Sequence, residues 1–364
     1  MQILHLLNTR CYGGIEVHVL DCIESMTAMG HPSHLICKTG LPPELVEVLK
    51  SKNIPFMTLP LGGVMDFFSL FALIRFCRSK KIDILHTHQP NDALRAILAK
   101  PFTGAQVIFS RHGCYPVKSL TGLFLNMCSK VVAISGAVFK LLVNAGIKPE
   151  KITILRHGKT VPKTMDFKEA CKITGLNPER KFILCSGRLS DEKNQLLAVE
   201  SFAKLIKGNP DTTRMMDLII LGKDFDKGSS YLQQIRKRAE ELKISNRIIT
   251  PGHVLNVEPW LRASMLGLVT SRTEGLSYSM IEYMAASIPV ISTPCEGPLE
   301  IIESGRNGFI APANPEDFAK SIMNSIDKPT YEKLSKGAYE TWKEFFNHEA
   351  MVARLDQIYR DSLM

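Results

Sequence analysis

The chain has 364 residues, 45% of them hydrophobic, and carries 45 Lys and Arg against 36 Asp and Glu. Its length exceeds one ordinary core and fits two domains. No apolar run reaches the roughly 18 residues of a membrane span, and MQILHLLNTR lacks the basic start and cleavage site of a signal peptide, so a cytosolic protein is expected. The nine cysteines are scattered without a CxxC pair, a pattern of reduced thiols that speaks against disulfides or zinc. Residues 1–160 hold 18 Lys and Arg against 9 Asp and Glu, whereas residues 161–364 hold 27 of each. A basic half beside a neutral one points to a polyanionic partner, an anionic membrane surface or an acidic acceptor. Nucleic acid is not expected, because no aromatic-interleaved basic stretch accompanies the charge.

In chain order, Gln2–Leu7 is a buried-strand candidate, Asn8–Gly14 its glycine-bearing loop, and Ile15–Met29 a helix by apolar spacing. The loop is not GxGxxG, which excludes the dinucleotide fingerprint. Short apolar runs and helical patterns then alternate through Ser33–Cys37, Pro43–Lys52, Phe56–Leu59, Asp66–Ser79, Asp83–His86, Asn91–Leu98 and Gln106–Ser110. Such alternation predicts a mostly parallel sheet with helices on both faces. His86 and His88 fall at the carboxyl end of the strand predicted at Ile82–Leu85, and His112 follows the strand Val107–Phe109. Ligands of open α/β sheets collect at such ends. Zinc on His86 and His88 lacks a third ligand at a metal-site spacing, so no metal is expected. Asp66–Lys81, with four Phe and a basic tail, and Tyr115–Lys130 have the composition of amphipathic segments that touch an anionic interface. Val131–Ile134, a helix capped by Ser135 and running to Asn144, and the strand Lys151–Leu155 complete the first half, and Thr160–Pro178 reads as a polar connection with short helical content.

Lys181–Cys185 opens a second α/β series. It runs into Ser186-Gly-Arg-Leu-Ser-Asp-Glu-Lys-Asn194 and the helix Gln195–Lys207, so Arg188 and Lys193 flank a helix start. Two fixed cations plus helix N–H groups can hold a diphosphate and stabilise it on departure without a metal. Asp217–Leu221, Tyr231–Leu242, Arg247–Thr250 and Glu258–Ala263 follow; Asp224-Phe-Asp226 spells DxD but reads as coincidence in a mid-domain loop. The strand Leu266–Val269 then feeds TSRTEGLSYSMIEYMAASIPVISTPCEGP, residues 270–298. A strand entering a helix through a glycine turn aims N–H groups and the positive helix end at one point, which suits a phosphate. Glu274 and Glu282 would repel that phosphate, but they can accept sugar hydroxyls on either side of a diphosphate. Leu299–Glu303, Gly308–Ala311, Pro315–Ile326 and a mostly helical Tyr331–Leu363 finish the chain.

Glu274, seven residues and Glu282, within EGLSYSMIEYMAASIPVI, resemble the signature of the retaining glycosyltransferases of family 4. The resemblance implies the GT-B fold, two Rossmann-like domains facing a cleft, with domains at 1–162 and 163–340 and a helix at 341–364 packing back on the first. It implies a retaining, metal-independent transfer from a nucleotide-diphosphate sugar, a UDP-sugar above all, with no cofactor. By the same resemblance Glu274 lies near the donor sugar and Glu282 bonds the ribose. Gly275, Leu276 and Ser277 offer N–H groups to the diphosphate, Arg188 and Lys193 grip it, and His253 and Val254 lie where the base is read. Gly13-Gly14-Ile15-Glu16 resembles the family's GGxE loop, placing Gly14 near the donor phosphate and Gly13 and Glu16 on the acceptor side with His86 and His88. His112 is implied at the reacting centre beside Glu274, Arg188 and Lys193. His157-Gly158 stands where the family usually has Asn-Gly, and Pro294–Gly297 replaces its Gly-Gly turn. The expected acceptor is a glycan or lipid-linked glycan of a bacterial surface polysaccharide such as lipopolysaccharide core, met at the inner face of the cytoplasmic membrane. The alternatives are a nucleotide-sugar 2-epimerase, or a sugar-nucleotide-binding module without catalysis.

Overall fold

The structure is a computed structural model that describes residues 1–9, 11–63, 66–162, 164–225, 228 and 230–364. The chain divides into two compact units, residues 1–158 with 348–364, and residues 159–347. The divisions between these units lie at 158/159 and 347/348.

Unit 1 is built on seven parallel strands: β1 (Ile3–Leu7), β2 (Ser33–Lys38), β3 (Phe56–Leu59), β4 (Ile84–Thr87), β5 (Gln106–Arg111), β6 (Lys130–Ala133) and β7 (Ile152–Ile154). Their spatial order is β3-β2-β1-β4-β5-β6-β7. All five residues of β1 are buried, as expected of a parallel strand covered by helices on both faces. The order reverses between β1 and β4, where His5 stands directly opposite His86. That reversal is the topological switch point at which α/β sheets place their sites. The last helix, His348–Leu363, contributes Met351, Val352, Leu355, Ile358 and Tyr359 to one core cluster with Ile3, Cys22, Met26, Ile84, Ile108 and Val132.

Unit 2 carries six parallel strands: β8 (Lys181–Ser186), β9 (Met216–Leu221), β10 (Ile248–Gly252), β11 (Ser264–Val269), β12 (Val290–Ser292) and β13 (Gly308–Ile310). They lie in the order β10-β9-β8-β11-β12-β13, with the switch point between β8 and β11. Helix Gln195–Gly208 packs Leu197, Ala198, Val199, Phe202 and Leu205 into the core with Phe318 and Ile322 of helix Pro315–Ile326.

Several elements differ from the sequence reading. The fourth strand starts at Ile84 and not at Ile82, so His86 lies within it. Ile82 instead belongs to the end of helix Phe67–Lys80: Lys81 turns left-handed (φ 52°), and the Ile82 N–H closes on the Cys77 carbonyl at 2.9 Å. The connection at Thr160–Pro178, by contrast, has the short helical content expected of it, a helix Phe167–Thr174 with an Asp166 cap. Residues 115–130 hold only the seven-residue helix Ser119–Leu125, with Gly122 too close to the Ala145 carbonyl to tolerate a side chain. Residues 294–297 are no free turn, because a helix begins at Glu296. Tyr331–Leu363 divides into Lys328–Phe345 of unit 2 and His348–Leu363 of unit 1. All nine cysteines are free thiols.

Candidate functional site

In unit 2 the candidate residues gather at the carboxyl ends of β8 and β11, the two strands that flank the switch point. The loop after β8 and the loop after β11 are stitched together by main chain. Thr270 Oγ1 donates to the Lys193 carbonyl at 2.8 Å, and Arg272 N–H donates to the Glu192 carbonyl at 2.8 Å. Helix Tyr278–Ala285 is fixed beneath β8 by Tyr283, whose hydroxyl accepts from Ser186 N–H at 2.8 Å and donates to Ser186 Oγ at 3.0 Å. Burial pushes the Tyr283 hydroxyl far above its ordinary pKa, which keeps it a neutral donor.

Lys193 Nζ forms an ion pair with Glu274, and Ser271 Oγ donates to the same carboxylate at 3.2 Å. Ser277 caps the helix that starts at Tyr278 by accepting from Met280 N–H at 3.3 Å. Gly275 lies against Gly297: a Cβ on Gly297 would stand 2.5 Å from the Gly275 carbonyl, and Gly297 N–H donates to the Glu274 carbonyl at 2.8 Å. Glu296 Oε2 accepts from Glu274 N–H at 3.3 Å. Glu296 and Gly297 thus shape the Glu274 turn, a role the sequence reading did not give them. Arg188 is placed on the same loop as Lys193, but its guanidinium pairs with Glu192 at 2.8 Å and stays half exposed. Glu282 pairs with Lys159 at 3.4 Å, and Lys159 Nζ sits 5.2 Å from the Tyr278 ring centroid. Lys159 also carries Phe346 and Trp342 on its main chain, through Lys159 N–H to the Phe346 carbonyl at 2.9 Å and Trp342 Nε1 to the Lys159 carbonyl at 2.8 Å. His253 and Val254 lie in the loop after β10, and Leu276 is buried in the turn. Asp224 accepts from Leu232 N–H at 2.8 Å, while Asp226, the second carboxylate of the DxD, lies outside the described residues.

In unit 1 the glycine loop ends at Gly13, the cap of helix Gly14–Ala28. Gly13 N–H donates to Glu16 Oε2 at 2.9 Å, so the buried Glu16 serves a capping box. The two strand-end histidine sites are joined into one cluster that the sequence did not reveal. His5 Nδ1 meets His88 Nε2 at 3.2 Å, His88 Nδ1 meets His112 Nε2 at 3.0 Å, and His112 Nδ1 meets His157 Nε2 at 2.9 Å. His18 stacks on His157 with ring centroids 4.1 Å apart. His86 lies to one side, bonded to Tyr359 Oη at 2.7 Å and Ser110 Oγ at 2.8 Å. Burial holds His5 down to about 3 and keeps His18, His86, His88, His112 and His157 well below the usual histidine range, with neighbouring histidines adding to the effect. All are therefore neutral imidazoles at neutral pH. One nitrogen from each of His5, His86 and His88 falls within 4.8 Å of the others, so the third nitrogen ligand absent from the sequence spacing is present in space.

A sequence model described as Glycosyl transferases group 1 matches residues 166–341, and one described as Glycosyltransferase Family 4 matches residues 12–158. The lipopolysaccharide core biosynthesis mannosyltransferase LpsB of Rhizobium meliloti (strain 1021) is 27% identical over 58% of this chain and 61% of its own length. The UDP-Gal:alpha-D-GlcNAc-diphosphoundecaprenol alpha-1,3-galactosyltransferase of Escherichia coli is 21% identical over 100% of this chain and 98% of its own. The solved structure of Anabaena Alr3699/HepE in complex with UDP-glucose superposes with a TM-score of 0.85 at 17% identity, covering 98% of each chain.

Proposed function

The chain belongs to the group 1 glycosyltransferases of the GT-B fold, and from that premise we propose that it transfers a sugar from a UDP-sugar to a glycan or lipid-linked acceptor of a bacterial surface polysaccharide, with retention and without a metal. The observation that carries the reading is the Lys193–Glu274 pair at the switch point of unit 2, beside the N-terminus of helix Tyr278–Ala285. A cation and a carboxylate side by side suit a sugar diphosphate: the ammonium and amides meet the phosphates while the carboxylate accepts sugar hydroxyls. Glu282 bonds the ribose after exchanging its Lys159 partner. Arg188 joins Lys193 on the diphosphate by leaving Glu192, a rotation open to an exposed arginine.

The reaction breaks the bond between the anomeric carbon and the phosphate oxygen and forms one to the acceptor oxygen on the same face. The acceptor's proton passes to the departing phosphate. Charge grows on that phosphate, so Lys193, Arg188 and the amides of residues 275–277 stabilise the transition state more than the bound donor. Glu274 orients the transferred sugar, and the family resemblance assigns His112 to the transferred sugar as well. The UDP-glucose complex of the structural neighbour and the UDP-Gal specificity named for the E. coli relative support a uridine donor. The lipopolysaccharide and undecaprenol acceptors named for the relatives support a lipid-linked acceptor.

Unit 1 also offers a surface for peripheral contact with the inner face of a cytoplasmic membrane. Helix Phe67–Lys80 buries Ser69, Leu73 and Cys77 and leaves Phe67, Phe68 and Phe71 67–69% exposed, ahead of Arg75, Arg78, Lys80 and Lys81. Among the described residues no helix is long and apolar enough to cross a membrane.

The test is a panel of radiolabelled UDP-glucose, UDP-galactose and UDP-N-acetylglucosamine incubated with membrane extract in EDTA. Label transferred to extract with release of UDP supports the reading. An epimerised nucleotide sugar formed without acceptor would establish the epimerase, and donor bound but never consumed would establish a binding module.

A further inference from the structure

We propose that His88 and His157 are positioning residues that hold the His112 ring with both nitrogens occupied, in a buried file of four imidazoles, His5–His88–His112–His157, whose tautomers are locked together. The inference rests on the assignment of His112 to the transferred sugar. A neutral imidazole has one N–H and one bare nitrogen. Each contact in the file joins an Nδ1 to the next ring's Nε2 at 2.9–3.2 Å. Changing one ring alone would set two N–H groups, or two lone pairs, against each other at that distance. The four rings therefore share one tautomer.

In either shared tautomer His112 donates from one ring nitrogen and accepts at the other, because His88 and His157 engage both of its nitrogens. His112 then has no nitrogen left to accept the proton of an acceptor hydroxyl. The acceptor's proton therefore leaves by the departing phosphate. The groups facing the file are His18 and Cys22 of helix Gly14–Ala28, His86 of β4, Ser110 and Arg111 of β5, and His348 and Tyr359 of the last helix. Among the described residues, the charges that bear on the six rings are other histidines and Arg111, so nothing in the surroundings favours a protonated ring.

A divalent metal on His5, His86 and His88 is the competing use of these rings. It would need lone pairs that Tyr359, Ser110 and the file already engage.

The experiment is long-range proton–nitrogen correlation on the full chain labelled with 15N-histidine, assigned by single substitutions. The proposal predicts one and the same neutral tautomer for His5, His88, His112 and His157, unchanged between pH 6 and 8. Mixed tautomers, or a ring titrating in that range, would overturn the lock. One equivalent of Zn2+ bound with loss of these signals would overturn it in favour of a metal site. His88→Leu should lower kcat for the active UDP-sugar of the panel by on the order of tenfold to a hundredfold, with donor KM nearly unchanged. His88→Gln should restore part of the rate, because its amide can donate to or accept from the His112 ring. A lock seen by resonance together with unchanged kinetics in His88→Leu and His157→Leu would refute the positioning role. If Lys193→Ala still abolished transfer in that case, the glycosyltransferase reading would stand on its own.

Discussion

Lowering the pH from 7.5 to 5.5 should unfold unit 1 while leaving unit 2 almost untouched. Nine of the ten histidines lie in unit 1, and His5, His18, His86, His88 and His157 are buried there. Their folded pKa values lie below the unfolded value of 6.5, to about 3 for His5. The unfolded chain therefore takes up protons first as pH falls. The stability they protect is complete above about pH 6.5 and is lost on the way down toward the folded values. Over this interval each ring that stays neutral costs about 1.4 kcal/mol, so five independent rings give on the order of 7 kcal/mol as an upper figure. Asp92 opposes them: burial raises its pKa to about 6, so it gains protons in the folded state and returns at most about 1 kcal/mol. The net loss approaches the whole stability of an ordinary domain. The assay is hydrogen exchange of peptides spanning β1 and β4 at both pH values after correction for intrinsic rate, with fluorescence of Trp260 and Trp342, both in unit 2, as internal control. Equal protection of β1 and β4 at the two pH values would refute the claim that these rings are buried and neutral.

Other consequences are separable. Lys193→Ala should lower turnover by about a hundredfold or more, since it removes charge stabilisation at the departing phosphate, while Glu282→Ala should mainly weaken UDP affinity, both read from initial rates and calorimetry. Equal, negligible effects would count against the donor site. Gly297→Ala places a methyl 2.5 Å from the Gly275 carbonyl and should cost about 1–3 kcal/mol in urea unfolding while lowering turnover. Phe67→Ser combined with Phe68→Ser and Phe71→Ser should abolish sedimentation with phosphatidylglycerol vesicles and shift stability by less than about 0.5 kcal/mol per site, because the three rings are exposed.

Much of the fold was legible because parallel strands covered on both faces read as near-continuous apolar runs, interrupted in β1 by His5 and in β9 by Asp217. The fourth strand was set two residues early because Ile82 continues the apolar run, although its amide closes the preceding helix. The Lys193–Glu274 pair was foreshadowed by two loops that each follow a strand, but the Arg188–Glu192 pair was not, since both partners lie in the same polar run. The histidine file needs the order β1-β4-β5-β6-β7, which brings together residues 5, 88, 112 and 157 from distant sequence. A histidine at or just past the end of successive strands was the available signal. Lys159 went unnoticed because a connection residue gives no sign of the helix it reaches.

The most direct measurement is calorimetric titration of the full chain with UDP in EDTA. One tight site, unaffected by the chelator and weakened at least tenfold by either Glu282→Ala or Arg188→Ala, is what metal-free capture of a nucleoside diphosphate at the β8–β11 switch point requires. Absence of binding, or binding that needs added Mg2+ or survives both substitutions, would contradict it.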